Sequence, residues 1–248
     1  MKVTEDMLTK KQKECVDFAS HRDLIVQGVA GSGKRLVIIN RAFHIYNKAK
    51  KAGRSVKIAV FTYANSLVDY TKEVLERGGK EAADEIKVDT LDREILSLYR
   101  TLIGHKVYGP YGSYKQDLKD VVTELESKYS NSRFFKEEKR DFLMNEINWM
   151  KQHLIKKFSD YESCVRKGRG AIRVTKEDRK VIFDVYEKFY EKLKRKHVKT
   201  IDMVAEELTK KVIPESDKYD FVLVDEAQDL TLSKMIIAKS LARISISI

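Results

Sequence analysis

Three short apolar runs punctuate the first hundred residues: DLIVQ (Asp23–Gln27), KIAVFT (Lys57–Thr62) and EIKVDT (Glu85–Thr90). Each is followed by a stretch whose apolar residues recur three and four positions apart. Short runs rich in Val and Ile read as buried strands, and the stretches after them read as helices. Strand, crossover helix and further strand is the grammar of a parallel sheet, so residues 1–99 are expected to form an α/β domain. From residue 100 to 199 the strand signal gives way. DLKDVVTELESKY, KEEKRDFLMNEINWMKQHLIKKF and EDRKVIFDVYEKFYEKLKRK all carry helical spacing, which predicts an all-helical insertion. The strand pattern resumes from about Thr200 with YDFVLVDEAQD, the helical KMIIAKSLA and ISISI, so residues 200–248 continue the sheet domain. The two prolines, Pro110 and Pro214, fall near the points where the pattern changes.

Composition changes this picture mainly through charge. The 248 residues carry 49 Lys and Arg against 38 Asp and Glu, a net charge of +11. Between residues 100 and 199 there are 25 basic against 15 acidic side chains, so nearly all the excess lies in the helical insertion. A polyanionic partner is one explanation, and a solvated helical face is an equal one. Cys15 and Cys164 lie far apart without the spacing of a zinc site or a disulfide framework, and the five histidines show no metal-ligand spacing. The N-terminus lacks an apolar signal core and no apolar run approaches the length of a membrane span, so a cytoplasmic protein with no membrane partner is expected.

The residues with chemistry lie at the two ends. DLIVQ runs into Gly28-Val29-Ala30-Gly31-Ser32-Gly33-Lys34, and the helical LVIINRAFHIY follows. This strand, glycine-rich loop and helix order is what a phosphate cradle requires. Glycines let successive backbone N–H groups face a β-phosphate, the helix N-terminus adds its positive end, and Lys34 reaches the β and γ oxygens. One position departs from the pattern: the residue after the lysine should be Ser or Thr, whose hydroxyl ligates Mg²⁺, and here it is Arg35. A guanidinium has no lone pair for a metal, so metal-nucleotide binding and hydrolysis are expected to be weakened; a deliberately inactivated variant, a naturally degenerate site and a side chain that turns outward and leaves weak residual activity are the alternatives. FVLVDEAQD (Phe221–Asp229) is the acidic motif that partners such a loop. Asp225 is expected to hold Mg²⁺ through its water shell and Glu226 to orient and deprotonate the attacking water, with a plain helix cap as the alternative.

GVAGSGK together with VDEAQDL resembles the UvrD/Rep family of superfamily 1 helicases, whose second motif reads DExQD and so includes Gln228 among the candidate catalytic residues Lys34, Asp225 and Glu226. Other segments fall in the family's order. Leu8–Gln12 resembles the Q motif, which implies that Gln12 reads the adenine edge; a solvated glutamine at a helix start is the alternative. Phe61–Leu67 resembles motif Ia and Val88–Asp92 resembles motif Ib, which implies that Thr62, Tyr63, Asn65, Thr90 and Leu91 touch single-stranded DNA. The insertion corresponds to the family's 1B domain. Trp149 at helical spacing is read as core rather than a base-stacking platform, and Gly168-Arg169-Gly170 as a plain basic turn.

The resemblance implies an α/β fold of the P-loop NTPase, RecA-like kind with an inserted helical subdomain, with ATP and Mg²⁺ as cofactors and single-stranded or partly duplex DNA as partner, RNA not being excluded. ATP is expected on Gln12, the loop residues Gly28, Val29, Ala30, Gly31, Ser32, Gly33 and Lys34, and Arg35. RISISI resembles the strand leading into motif III, and neither that motif nor the second RecA-like domain with its arginine fingers is present in these residues. This chain by itself is therefore expected to be a poor motor. The alternatives are a non-hydrolysing nucleotide- or nucleic-acid-binding module and a P-loop kinase-like enzyme, against which the motor-type acidic motif argues.

Overall fold

The computed structural model describes residues 8–18, 22–62, 65–78, 80–104, 107–108, 114–130, 132–166, 169 and 172–247. The chain divides into two compact units, residues 1–97 with 209–248, and residues 98–208.

The first unit is built on a four-stranded parallel sheet. Strands β1 (Ile58–Thr62), β2 (Ile86–Thr90), β5 (Tyr219–Val224) and β6 (Ala242–Ser247) lie in the order β2-β1-β5-β6. Val60 sits opposite Val88 on one side and Leu223 on the other. All five residues of β1 are buried, as an inner strand covered on both faces requires. Helices α2 (Lys34–Lys51) and α3 (Asn65–Gly78) supply part of that cover: Ile38, Ala42 and Ile45, then Val68 and Leu75, recur at helical spacing and share a core with Ile58, Val60 and Leu223. Helices α1 (Lys10–Val16), α4 (Lys80–Glu85) and α11 (Leu232–Leu241) complete the unit, and α5 (Leu91–Leu102) leads out of it.

The expected strand over DLIVQ is not formed. Leu24 makes a single bridge, Ile25 is 68% exposed, and no ladder runs through Asp23–Gln27. Three apolar residues between Asp23 and Gln27 are compatible with a strand, but a strand is made by the partner it pairs with, and here none pairs along its length.

The second unit is mainly helical: α6 (Lys115–Glu126), α7 (Arg140–Gln152), α8 (Phe158–Ser163), α9 (Lys176–Arg195) and α10 (Ile201–Leu208). Its core is the meeting of the apolar stripes Leu118, Val121, Val122 and Leu125, then Leu143, Ile147 and Met150, then Ile182, Val185, Phe189 and Leu193. Among the described residues it departs from an all-helical insertion at one place. Residues Val107–Tyr108 (β3) pair in parallel with Val198–Lys199 (β4), closing the start of the unit on its end. Helix α10, which lies beyond residue 199, also groups with this unit. Among the described residues, no helix is long and apolar enough to cross a membrane.

Candidate functional site

A cleft of 870 Å³ opens at the carboxyl edge of the sheet, where parallel sheets characteristically offer their sites. The glycine-rich loop, the start of α2 and the residues after β5 all line it. The loop is shaped by its glycines. Gly31 and Gly33 hold φ of 79° and 82°, a left-handed backbone that side-chain-bearing residues rarely adopt. Gly33 is the residue before α2 and offers no side-chain cap, and the first turn of α2 holds no acid. Its N–H groups are thus left to an anion, and the helix dipole favours one there. Lys34 folds back over the loop, its Nζ donating to the carbonyls of Gly28 at 3.0 Å and Val29 at 3.2 Å.

Gln12 reaches this loop from α1. Thr9 caps that helix in a capping box: the Thr9 N–H donates to Gln12 Oε1 at 2.8 Å, and the Gln12 N–H donates to Thr9 Oγ1. Gln12 Nε2 donates to the Ser32 carbonyl at 3.0 Å. So Gln12 both starts a helix and touches the loop, with one N–H and one oxygen lone pair of its amide left over for a further partner. The contact is close, since a Cβ at position 33 would lie 2.6 Å from Gln12 Nε2. Arg41, a lone charged residue in the apolar face of α2, holds the far end of α1. It is 1% exposed and its Nη1 donates to the carbonyls of Cys15, Val16 and Phe18 at 3.0–3.1 Å. Sequence reasoning passed over Arg41, although a cation at a core position of an amphipathic helix was a legible signal.

The acidic side of the cleft follows β5. The Asp225 N–H donates to the Phe61 carbonyl at 2.9 Å, which fixes the strand end, and the Asp225 side chain is buried. Glu226 holds a left-handed φ of 54°, uncommon without glycine and costing about 1 kcal/mol. Gln228 Nε2 donates to Glu226 Oε2 at 2.6 Å and so orients that carboxylate. Arg35 turns inward rather than outward: its Nε donates to Asp225 Oδ2 at 2.8 Å, and its Nη2 lies 3.8 Å from Glu226 Oε1. The loop and the acid pair, 190 residues apart in sequence, are thereby tied together.

The motif-like segments at the ends of β1 and β2 are adjacent, with Thr62 paired in register with Thr90. Thr62, Thr90 and Leu91 are buried, and Thr90 Oγ1 accepts from the Arg93 N–H at the start of α5. Asn65 is exposed at the start of α3. Tyr63 lies outside the described residues, as do Gly168 and Gly170. In the second unit, Trp149 is partly buried against the core, with the Arg169 guanidinium 5.4 Å from its ring centre.

A polyphosphate suits this cleft: it has room, uncapped N–H groups and Lys34. A divalent magnesium ion does not. Mg²⁺ demands oxygen ligands in near-octahedral array, yet position 35 provides none and places a guanidinium against Asp225. Among the described residues no group of three His, Cys, Asp or Glu side chains could hold a metal.

Fold and cleft define an α/β protein whose parallel sheet presents a glycine-rich loop and an acid pair at one edge. The chain belongs to the UvrD/REP helicase family: the model of the UvrD/REP helicase N-terminal domain matches residues 8–246. Helicases of this family use ATP and Mg²⁺ and act on nucleic acid. No curated protein was found to match the chain.

Proposed function

We propose that this chain is the ATP-binding portion of an ATP-dependent DNA helicase or translocase of the UvrD/Rep type, with a RecA-like P-loop domain carrying a 1B-like helical insertion. The observation that carries the reading is the shared cleft of residues 28–35 and 225–228, bridged by the Arg35–Asp225 contact. In this reading the loop N–H groups and Lys34 bind the β- and γ-phosphates, and Gln12 reads the adenine edge. Glu226, oriented by Gln228, is the base for the attacking water. Phosphoryl transfer at speed further needs cations on the γ-phosphate from a second RecA-like domain, as the family resemblance implies. Single-stranded DNA passes the ends of β1 and β2. Because Thr62, Thr90 and Leu91 are buried, contact there falls to backbone groups and to exposed neighbours such as Asn65.

A second reading, a nucleotide-binding module that does not hydrolyse, is favoured by one observation: Arg35 occupies the acid pair on which hydrolysis depends. Both readings require nucleotide on the loop. Titration of a fluorescent ATP analogue should give saturable binding that Lys34→Ala weakens roughly tenfold to a hundredfold, the worth of a charged hydrogen-bonding contact. Binding that ignores the loss of Lys34 removes the basis of both.

A further inference from the structure

Resting on the nucleotide-site reading above, we propose that Arg35 is the resident cation of this cleft, so that its ligand is a nucleoside polyphosphate in the metal-free form. The charges lead there. Without Arg35 the charged lining of the cleft, Lys34 and Arg41 against Asp225 and Glu226, would be neutral and would offer a polyphosphate no net attraction. Arg35 makes that lining one unit positive with nothing added, and it is the cation set against the acid pair.

Geometry agrees with the charge count. Arg35 stands in the first turn of α2, beside Lys34 and with no acid in that turn. Two cations at a helix N-terminus oppose its dipole and are tolerable only where anions meet them. Asp225 meets one N–H of Arg35 at 2.8 Å and Glu226 lies 3.8 Å from another atom of the guanidinium. A guanidinium has five N–H donors in a fixed fork, so donors remain for phosphate oxygens while Asp225 is held. Arg35 is about one-third exposed, on the side where the cleft is open. A magnesium ion carried in with the nucleotide finds its acidic anchor already taken and a positive charge beside it. Magnesium therefore brings no gain to binding, and a nucleotide that carries it is the poorer ligand.

The test is equilibrium titration of a fluorescent ATP analogue into the full chain, once with EDTA and once with excess Mg²⁺. The native chain is expected to bind at least as tightly with EDTA as with Mg²⁺. Arg35→Thr, which restores a hydroxyl and removes the cation, is expected to reverse the order, with Mg²⁺ tightening its binding about tenfold or more. A native chain that binds only with Mg²⁺ overturns the proposal and leaves the nucleotide site standing. No saturable binding in either buffer, by either protein, overturns the nucleotide site and the proposal with it. Should Arg35→Thr fail to fold by circular dichroism, Arg35→Gln serves in its place: it keeps the volume and loses the charge, so binding in EDTA should fall about tenfold. The native pair of titrations decides the question without any variant.

Discussion

Two ion-paired carboxylates in this protein look alike in a contact list and differ in what they do. Asp225 pairs with Arg35 at the mouth of a cleft, and Arg35 is one-third open to water. Glu146, in the helical unit, is wholly buried among Arg166 at 2.6 Å, Arg169 at 2.8 Å and the Tyr161 hydroxyl at 2.8 Å. Burial pushes the Glu146 carboxyl up, and the hydrogen bonds from Arg166, Tyr161 and Arg169 outweigh it, so its pKa lies below the ordinary 4.5. Every donor around Glu146 faces inward and its partners close the site, which makes the cluster a fastener. Around Asp225 one oxygen accepts from Arg35 and the other from the Glu226 N–H at 3.1 Å, and the pair lines an open cleft. What sets Asp225 apart is the cleft it lines together with the glycine-rich loop, rather than its ion pair alone.

The largest expected effect breaks the fastener. Glu146→Ala leaves two guanidinium groups facing a cavity and should cost about 3–5 kcal/mol of stability. Trp149, the single tryptophan, lies in the same helix and its ring meets Arg169, so its fluorescence during urea unfolding reports this unit. By contrast Arg35→Thr, in the other unit and followed by circular dichroism, should cost less, about 1–2 kcal/mol. Asp225 is buried, but Arg35 is partly solvated and Asp225 keeps its bond from the Glu226 N–H. Equal costs for the two would erase the distinction between fastener and site. A finer test is acid. Since Glu146 titrates below its unfolded value when folded, its contribution is complete above about pH 4.5 and is lost as pH falls through the folded pKa. The Trp149 unfolding midpoint should therefore decline as pH is lowered below 4.5, and Glu146→Gln should flatten that decline.

The sheet was legible because β1, β2 and β5 are apolar runs closed by polar residues, and the loop because glycines at 31 and 33 do what other residues cannot. DLIVQ misled for the opposite reason: Ile25 is as apolar as Ile58, but only Ile58 has neighbouring strands on both sides. The β3–β4 pairing was invisible because its two-residue strands meet across ninety-odd residues and carry no periodicity. That Lys34, Asp225 and Glu226 would line one cleft was legible from the two motifs. The direction in which Arg35 points was not, since it depends on how near the end of β5 comes to the first turn of α2. The buried state of Thr62 and Thr90 is a matter of register, which no local pattern records.

The three hydrogen bonds from Arg41 Nη1 to the end of α1 all go to main-chain oxygens, and these are present whichever amino acids occupy positions 15, 16 and 18. Those acceptors do not depend on the side chains that flank them, whereas a change at position 41 would remove all three bonds and leave the segment that carries Gln12 to the packing of Leu8 and Val16 on Val37. A single guanidinium thus holds the end of the amino-terminal helix in a way that is indifferent to the identity of the residues it grips.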